Sequence, residues 1–487
     1  MKRGPLYGKG FRYPHYRRGV VGSAIARELS RYRLSIAVLE QHPDILLGTS
    51  GRNSGVLHAG FNNKPGSKMA QFCVAGNAYF DTLAKELSIP YKRTGKLVVG
   101  FDKQDYEALM RMKETGEANG IEGLALVDTP FIRNLAPSIR GDFALWSPTT
   151  AILSPFQLTI GLAESAIKNG VRYFLRHKVT GIAHENNKYT VQAGGRQFTG
   201  RWLVNAAGLG AVEISAMLGV NGYTMYPCRG EYFILDENLG PMLPLPAYPV
   251  PNPKEGGLGI HLTPTVDGNI LIGPSSEYIA QADDYACTKH TMDLLLKDGS
   301  RIFPHIKREH FIRNFAGMRP KLTGEGGYMD FVIEKHQQAI HLLGIESPGL
   351  TSAIPLAREV IRLIAQTEEL PQNPYFDPLR PAITTFHDKT PEQQAQLIRT
   401  NADYGEIICR CGGITKAEVL EALHNPLGVI TLTGIKYRCR TMMGRCQGGY
   451  CQTRIAELIM QETGQHPEQV EYNYEHSHPF TGEVRHA

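Results

Sequence analysis

Apolar and polar positions fall along the chain in blocks that predict helices and strands by turns. Residues 19–33 (GVVGSAIARELSRYR) predict a helix that opens on small residues, and 35–40 (SIAVLE) a buried strand ending in an acid. A Gly/Ser/Asn-rich loop, TSGRNSGVLHAG, follows at 49–60. The patterning then predicts a helix over 69–87, a strand over 95–101 and helices over 103–119 and 157–169. Strands are expected at 171–175, 177–182, 188–193, 228–235 and 269–273. WLVNAAGLGA at 202–211 reads as a buried strand, a small-residue turn and a helix, and 342–364 as a strand, a glycine loop and a helix. Strands alternating with helices imply an α/β nucleotide-binding core, with antiparallel-looking segments between about 216 and 310 forming a second layer. Residues 369–404 carry Pro and charge and read as a linker, and 405–487 as a small separate module.

Composition narrows the class. With 487 residues, 42% hydrophobic and 20% charged, the chain is an ordinary globular protein of several domains. No apolar run approaches the roughly 20 residues of a membrane-spanning helix, and no secretory signal opens the chain, so a cytoplasmic location is expected. The net charge of +5 is mild but uneven. Residues 1–18 hold Lys2, Arg3, Lys9, Arg12, Arg17 and Arg18 and no acid, leaving 46 basic against 47 acidic residues in the rest. The basicity therefore gives no reason to expect nucleic acid.

That N-terminal segment coincides with a broken motif. A dinucleotide-binding unit runs from an apolar strand through G-x-G-x-x-G into a helix, with an acid about 20 residues on for the ribose hydroxyls. Gly19 and Gly22 fill the second and third glycine places and Glu40 is the acid, but Arg17 stands at the first. The preceding residues, Phe11 to Tyr16, include Pro14 and no Val, Ile or Leu, and are expected not to form a central parallel strand. One set of codons for residues 13–18, read one base later, gives Ile-Arg-Ile-Ile-Gly-Ala, an apolar strand leading into a complete fingerprint. Residues 1–18 thus read as an aberrant N-terminus, an out-of-frame translation. The alternative is a genuine basic tail on a protein with impaired cofactor binding.

From TSGRNSGVLHAG and PGSKMAQFCVAGN (65–77) onward, the chain resembles the FAD-dependent oxidoreductases of the D-amino-acid-oxidase type. It looks most like L-2-hydroxyglutarate dehydrogenase/oxidase and the anaerobic glycerol-3-phosphate dehydrogenase A subunit. The likeness continues through SPTTAILSP (147–155), NAAG (205–208), PCRGEYFIL (227–235), GIHLTPTVDGNILIGP (259–274), FAGMRP (315–320) and GIESPGLTSA (344–353). The resemblance implies a Rossmann-like FAD-binding domain interleaved with a mixed-sheet substrate domain. The FAD part would cover about 19–75, 145–215 and 311–370, and the substrate part about 76–144 and 216–310. It also implies flavin contacts from Ser50, Arg52, Asn53, Ser54, Val179, Ala207, Gly208, Gly317, Gly349, Leu350, Thr351 and Ser352, beside Gly19, Gly22 and Glu40. Hydride transfer from an alcohol carbon needs a base for the hydroxyl proton and cations for an anionic substrate. His58 and His261 are the candidate bases, and His58 is equally placed to sit against or bond to the flavin. Arg319 is the first candidate anion clamp, with Arg229 and Tyr232 next.

Five of the eight cysteines, Cys409, Cys411, Cys439, Cys446 and Cys451, fall within 43 residues. Without a secretory signal such clustering points to metal or redox chemistry rather than disulfides. Cys409/Cys411 and Cys446/Cys451 form two close pairs, and spacing alone leaves iron–sulfur and zinc open. The run MGRCQGGYC (443–451) makes 405–460 resemble the bacterioferritin-associated-ferredoxin-type 2Fe–2S domain, with a linker at 371–404 and a tail at 461–487. The resemblance implies a small helical module with Cys409, Cys411, Cys446 and Cys451 as ligands and Cys439 spare. The expectation is an FAD-dependent dehydrogenase of a small anionic alcohol, either a 2-hydroxy acid or glycerol 3-phosphate. It would pass electrons through a 2Fe–2S centre to an acceptor protein or subunit, through which any approach to the membrane is made. The alternative is a catalytically impaired homologue serving as an iron–sulfur- or zinc-binding subunit.

Overall fold

The computed structural model describes residues 19–251 and 258–482, together with the backbone of 13–17. The reading of 1–18 therefore lies mostly outside the described residues. Its core is a six-stranded sheet in the order Val332–His336, Ala339–Leu343, Leu203–Ala206, Tyr13–Arg17, Ile36–Leu39, Arg172–Phe174. All neighbours are parallel except the antiparallel edge strand Val332–His336. The expectation that the segment before Gly19 forms no central strand is corrected. Tyr13–Arg17 pairs on both sides, His15 with Val204 and Val38. The reason is tertiary: the helix behind Gly19 must be fed by a strand between its two parallel neighbours, and that context overrides unfavourable side chains. The helix Gly19–Leu29 is buried along its whole length and packs against Pro155–Lys168 and Ala353–Ala365.

The second layer is a nine-stranded sheet in which Tyr226–Leu235 pairs along its length with Phe311–Lys321. Lys96–Gly100 lies in the same sheet, between Ala247–Pro249 and Phe143–Ser147. Residues 371–404 are not a structureless connection. Arg380 is buried against Glu164, and a helix forms over Pro391–Thr400 because Thr390 and Gln393 make a reciprocal capping box. In the C-terminal module Cys409 ends the strand Ile407–Cys409. Helices follow at Lys416–Leu423, Leu432–Cys439 and Cys451–Thr463. Among the described residues no helix is long and apolar enough to cross a membrane.

Candidate active site

A cavity of about 1040 Å³ runs between the two layers, from Gly19 and Val20 to His58, His261 and Arg319. At its first end the N-terminus of the Gly19–Leu29 helix lines the cavity, so the positive end of the helix dipole faces it. Val20 N donates to Ser50 Oγ at 2.9 Å. Gly19 has φ +69°, and a Cβ there would lie 2.1 Å from Ser50 Oγ, so this turn requires glycine. The loop carrying Ser50 is knitted in place by Asn53 Nδ2, which donates to Thr49 O and Ser50 O, and by Thr49 Oγ1 donating to Met318 O at 2.7 Å. A Cβ at Gly317 would meet Arg52 O at 2.1 Å, so the strand passes close under the loop. Gly208, Gly349 and Leu350 complete this wall. A glycine-lined cradle at a helix N-terminus fits the pyrophosphate and flavin of FAD.

Gly22, Glu40, Val179, Ala207, Thr351 and Ser352 stand outside the cavity lining. Gly22 is inside the helix, and buried Glu40 accepts from His42 N at 2.9 Å. Thr351 Oγ1 accepts from His58 N at 3.0 Å, which fixes the His58 backbone to the turn before Ala353–Ala365.

The chemistry gathers at the other end. His261 stacks on Tyr248 with centroids 3.8 Å apart, and its Nδ1 lies 2.9 Å from Gly259 O. A carbonyl only accepts, so Nδ1 carries the proton and Nε2 presents a lone pair. That Nε2 is buried and finds no hydrogen-bond partner among the described residues. Burial, reinforced by the charges of Lys96 and Arg319, pushes the imidazole down to about 3. His58 is also held well below its ordinary value, by burial first and then by Lys96 and His261. Both imidazoles are therefore neutral near pH 7. Arg319 is fixed by bonds to Ser275 O at 3.0 Å and Cys228 Sγ at 3.5 Å, over Gly230, where a Cβ would come within 2.8 Å of its Nη2. Tyr232 stacks on Phe315 at 4.6 Å, and its hydroxyl lies 3.4 Å from Ser54 Oγ. Arg229 is not brought to the cavity: Glu277 and Asp284 hold its guanidinium at 2.7 Å, with Glu231 at 3.5 Å. Lys96, which the sequence reading passed over, does line the cavity. Its signal was a charged residue in an otherwise apolar strand.

The C-terminal cysteines stand as two pairs. Cys411 Sγ and Cys446 Sγ are 3.5 Å apart and exposed, while Cys409 and Cys451 are buried and hydrogen-bonded to each other. The Cys409 thiol is lowered to about 6, first by its bond to Cys451 and then by the backbone amides of Gly412, Met442 and Cys411. Among the described residues no three His, Cys, Asp or Glu side chains gather as one metal-binding group. Cys439 belongs to neither pair; its buried thiol contacts Ile435 O and is pushed up to about 12. The module is docked through the buried pair Arg438–Asp44 at 3.0 Å and through Gln157 Nε2, which donates to Tyr437 O and Arg438 O. Arg313, on the strand that carries Gly317 and Arg319, donates to Gln447 Oε1 at 3.2 Å, one residue from Cys446.

A glycine-cradled cavity between a parallel sheet and a large antiparallel layer, ending at a neutral histidine and an arginine, defines a flavin-dependent oxidoreductase. The chain belongs to the DAO family of FAD dependent oxidoreductases, whose pattern matches residues 18–363. It is 34% identical over 473 residues to a glycerol 3-phosphate dehydrogenase of Caloramator mitchellensis, covering 96% of this chain and 97% of the relative. It is 29% identical to the mitochondrial L-2-hydroxyglutarate dehydrogenase of Mus musculus, over 70% of this chain and 86% of that one. Among solved structures, it is similar to L-alpha-glycerophosphate oxidase of Mycoplasma pneumoniae with FAD bound. The TM-score there is 0.72 at 26% identity, over 77% of this chain and 99% of that one. It shares its fold with the glycerol-3-phosphate dehydrogenase of Bacillus halodurans, with a TM-score of 0.67 at 14% identity over 94% and 92% of the two chains. The protein is an FAD-dependent oxidoreductase acting on CH–OH donors, a dehydrogenase like those that oxidise glycerol 3-phosphate or 2-hydroxyglutarate.

Proposed function

We propose that the substrate is glycerol 3-phosphate and that electrons leave through a 2Fe–2S centre in the C-terminal module to an acceptor protein. The observation that carries the chemistry is the free, neutral Nε2 of His261 in a cavity that also holds Arg319. FAD, when bound, supplies the hydride acceptor. His261 Nε2 takes the hydroxyl proton, Arg319 holds the anionic group, and the stacked Tyr232 walls the site. Phosphate is favoured over a second carboxylate because the relative similar along the whole chain, cysteine module included, is named as a glycerol 3-phosphate dehydrogenase. A dinuclear centre is favoured over zinc by the likeness of MGRCQGGYC (443–451) to a 2Fe–2S domain, and the two cysteine pairs could supply two thiolates to each iron. When present, the cluster supplies a one-electron outlet. The Arg313–Gln447 contact ties its loop to the strand that lines the cavity.

Anaerobic turnover with a dye acceptor tests the substrate. Glycerol 3-phosphate should reduce the dye, with L-2-hydroxyglutarate at least tenfold less efficient. A preference for the hydroxy acid, or turnover of neither, overturns the assignment.

A further inference from the structure

Lys96 opens a strand whose five residues are all buried, and is itself only 1% exposed. A charge there is costly unless something compensates it. Its Nζ lies 4.4 Å from the ring centroid of Phe61 and 4.2 Å from that of Tyr248, and both rings line the cavity. Ring faces offset part of the cost of burying an ammonium but carry no counter-charge. Among the described residues no carboxylate acts on it. The neighbouring Cys73 thiol is pushed up to about 12 by burial, so it supplies no thiolate near neutral pH. His58 and His261 both feel the Lys96 charge, and all three side chains line the cavity.

We propose that Lys96 is a second cation of the anion-binding cavity, which together with Arg319 binds the phosphate or carboxylate of the substrate whose hydroxyl meets His261. This rests on the reading of the cavity as an anionic-alcohol site. A desolvated cation at the wall of a cavity, with aromatic rings for neighbours, is completed by an anionic ligand. No bond to substrate is made or broken by Lys96; its role is to hold and orient.

Burial brings Lys96 to about 7. The other titratable groups that face it, His58, His261, Cys73 and Tyr248, all stay neutral between pH 6 and 8.5. The probe is sulfate, whose charge is fixed over that range, titrated into the FAD-loaded protein and read as a difference spectrum of the flavin. In the unchanged protein its affinity should fall about tenfold from pH 6 to 8.5. Lys96→Arg should keep the low-pH affinity at both pH values, and Lys96→Met should lose at least tenfold at pH 6 and raise KM for substrate more than it lowers kcat. Sulfate affinity that ignores pH in the unchanged protein, or survives in Lys96→Met, overturns the proposal. The pH arm decides even where Lys96→Met fails to hold FAD. If the Lys96 variants change sulfate binding while no anionic alcohol is turned over, the subsite stands and the substrate reading fails.

Discussion

At the scale of single residues, the proposed proton transfer depends on a histidine kept neutral by burial. His261→Asn should lower kcat by about 10²–10⁴ while leaving the flavin content unchanged, as measured by steady-state kinetics beside a visible spectrum. The same burial has a cost in acid. His261 sits at about 3 in the folded protein and buried His341 at about 4, both below the ordinary 6.5 of the unfolded chain. Above pH 6.5 neither state binds the proton; below it the unfolded chain does and the folded one does not. Stability is thus complete above 6.5 and is lost as pH falls toward those folded values, by on the order of 2 kcal/mol per histidine at pH 5. Urea unfolding at pH 7 and pH 5 checks this, and equal midpoints would contradict it. His58, His261, Arg319 and Tyr232 stood out because they sit in motifs; the structure places all four in the cavity wall, their catalytic roles remaining proposals. Arg229 was legible only as a cation; its three carboxylate partners come from its own strand and from residues about 50 positions on. Lys96 was not singled out, because alternation cannot say which buried strand faces a cavity.

At the scale of elements, the strand, turn and helix around Gly19 form the mechanical centre of the cofactor end. Gly19→Ala puts a Cβ against Ser50 Oγ at φ +69°. It should destabilise the protein by about 1–2 kcal/mol and reduce the FAD retained per chain on purification. Arg17 stands at the first glycine place of the fingerprint, which makes the tight turn from strand to helix. If residues 1–18 are an out-of-frame translation, Arg17→Gly, or the full Ile-Arg-Ile-Ile-Gly-Ala replacement of 13–18, should raise FAD retention above that of the unchanged chain. Equal retention would count against that reading. The strongly patterned helices and strands were readable within a few residues: 69–87 is observed as Lys68–Leu87 and 188–193 as Lys188–Ala193. Two kinds of element were not. Tyr13–Arg17 is a strand by its neighbours rather than by its residues, and Pro391–Thr400 is a helix set by a cap inside a stretch that composition marks as a linker.

At the scale of the whole molecule, the module is held to the dehydrogenase by buried charge. Arg438 and Asp44 are 2% and 1% exposed, so removing one leaves the other buried and unpaired. Arg438→Met should cost about 3–5 kcal/mol, and adding Asp44→Leu should recover part of it, as read by urea unfolding. The docking also gives the central claim its most direct test. Purified protein is reduced anaerobically with glycerol 3-phosphate, and iron, zinc, the visible spectrum and the low-temperature paramagnetic resonance are measured on the same sample. Two irons per chain, a bleached flavin band and the signal of a reduced 2Fe–2S centre are expected. Zinc in place of iron, or a bleached flavin with no cluster signal, would contradict the electron route. A protein that stays colourless when supplied with FAD would contradict the dehydrogenase itself.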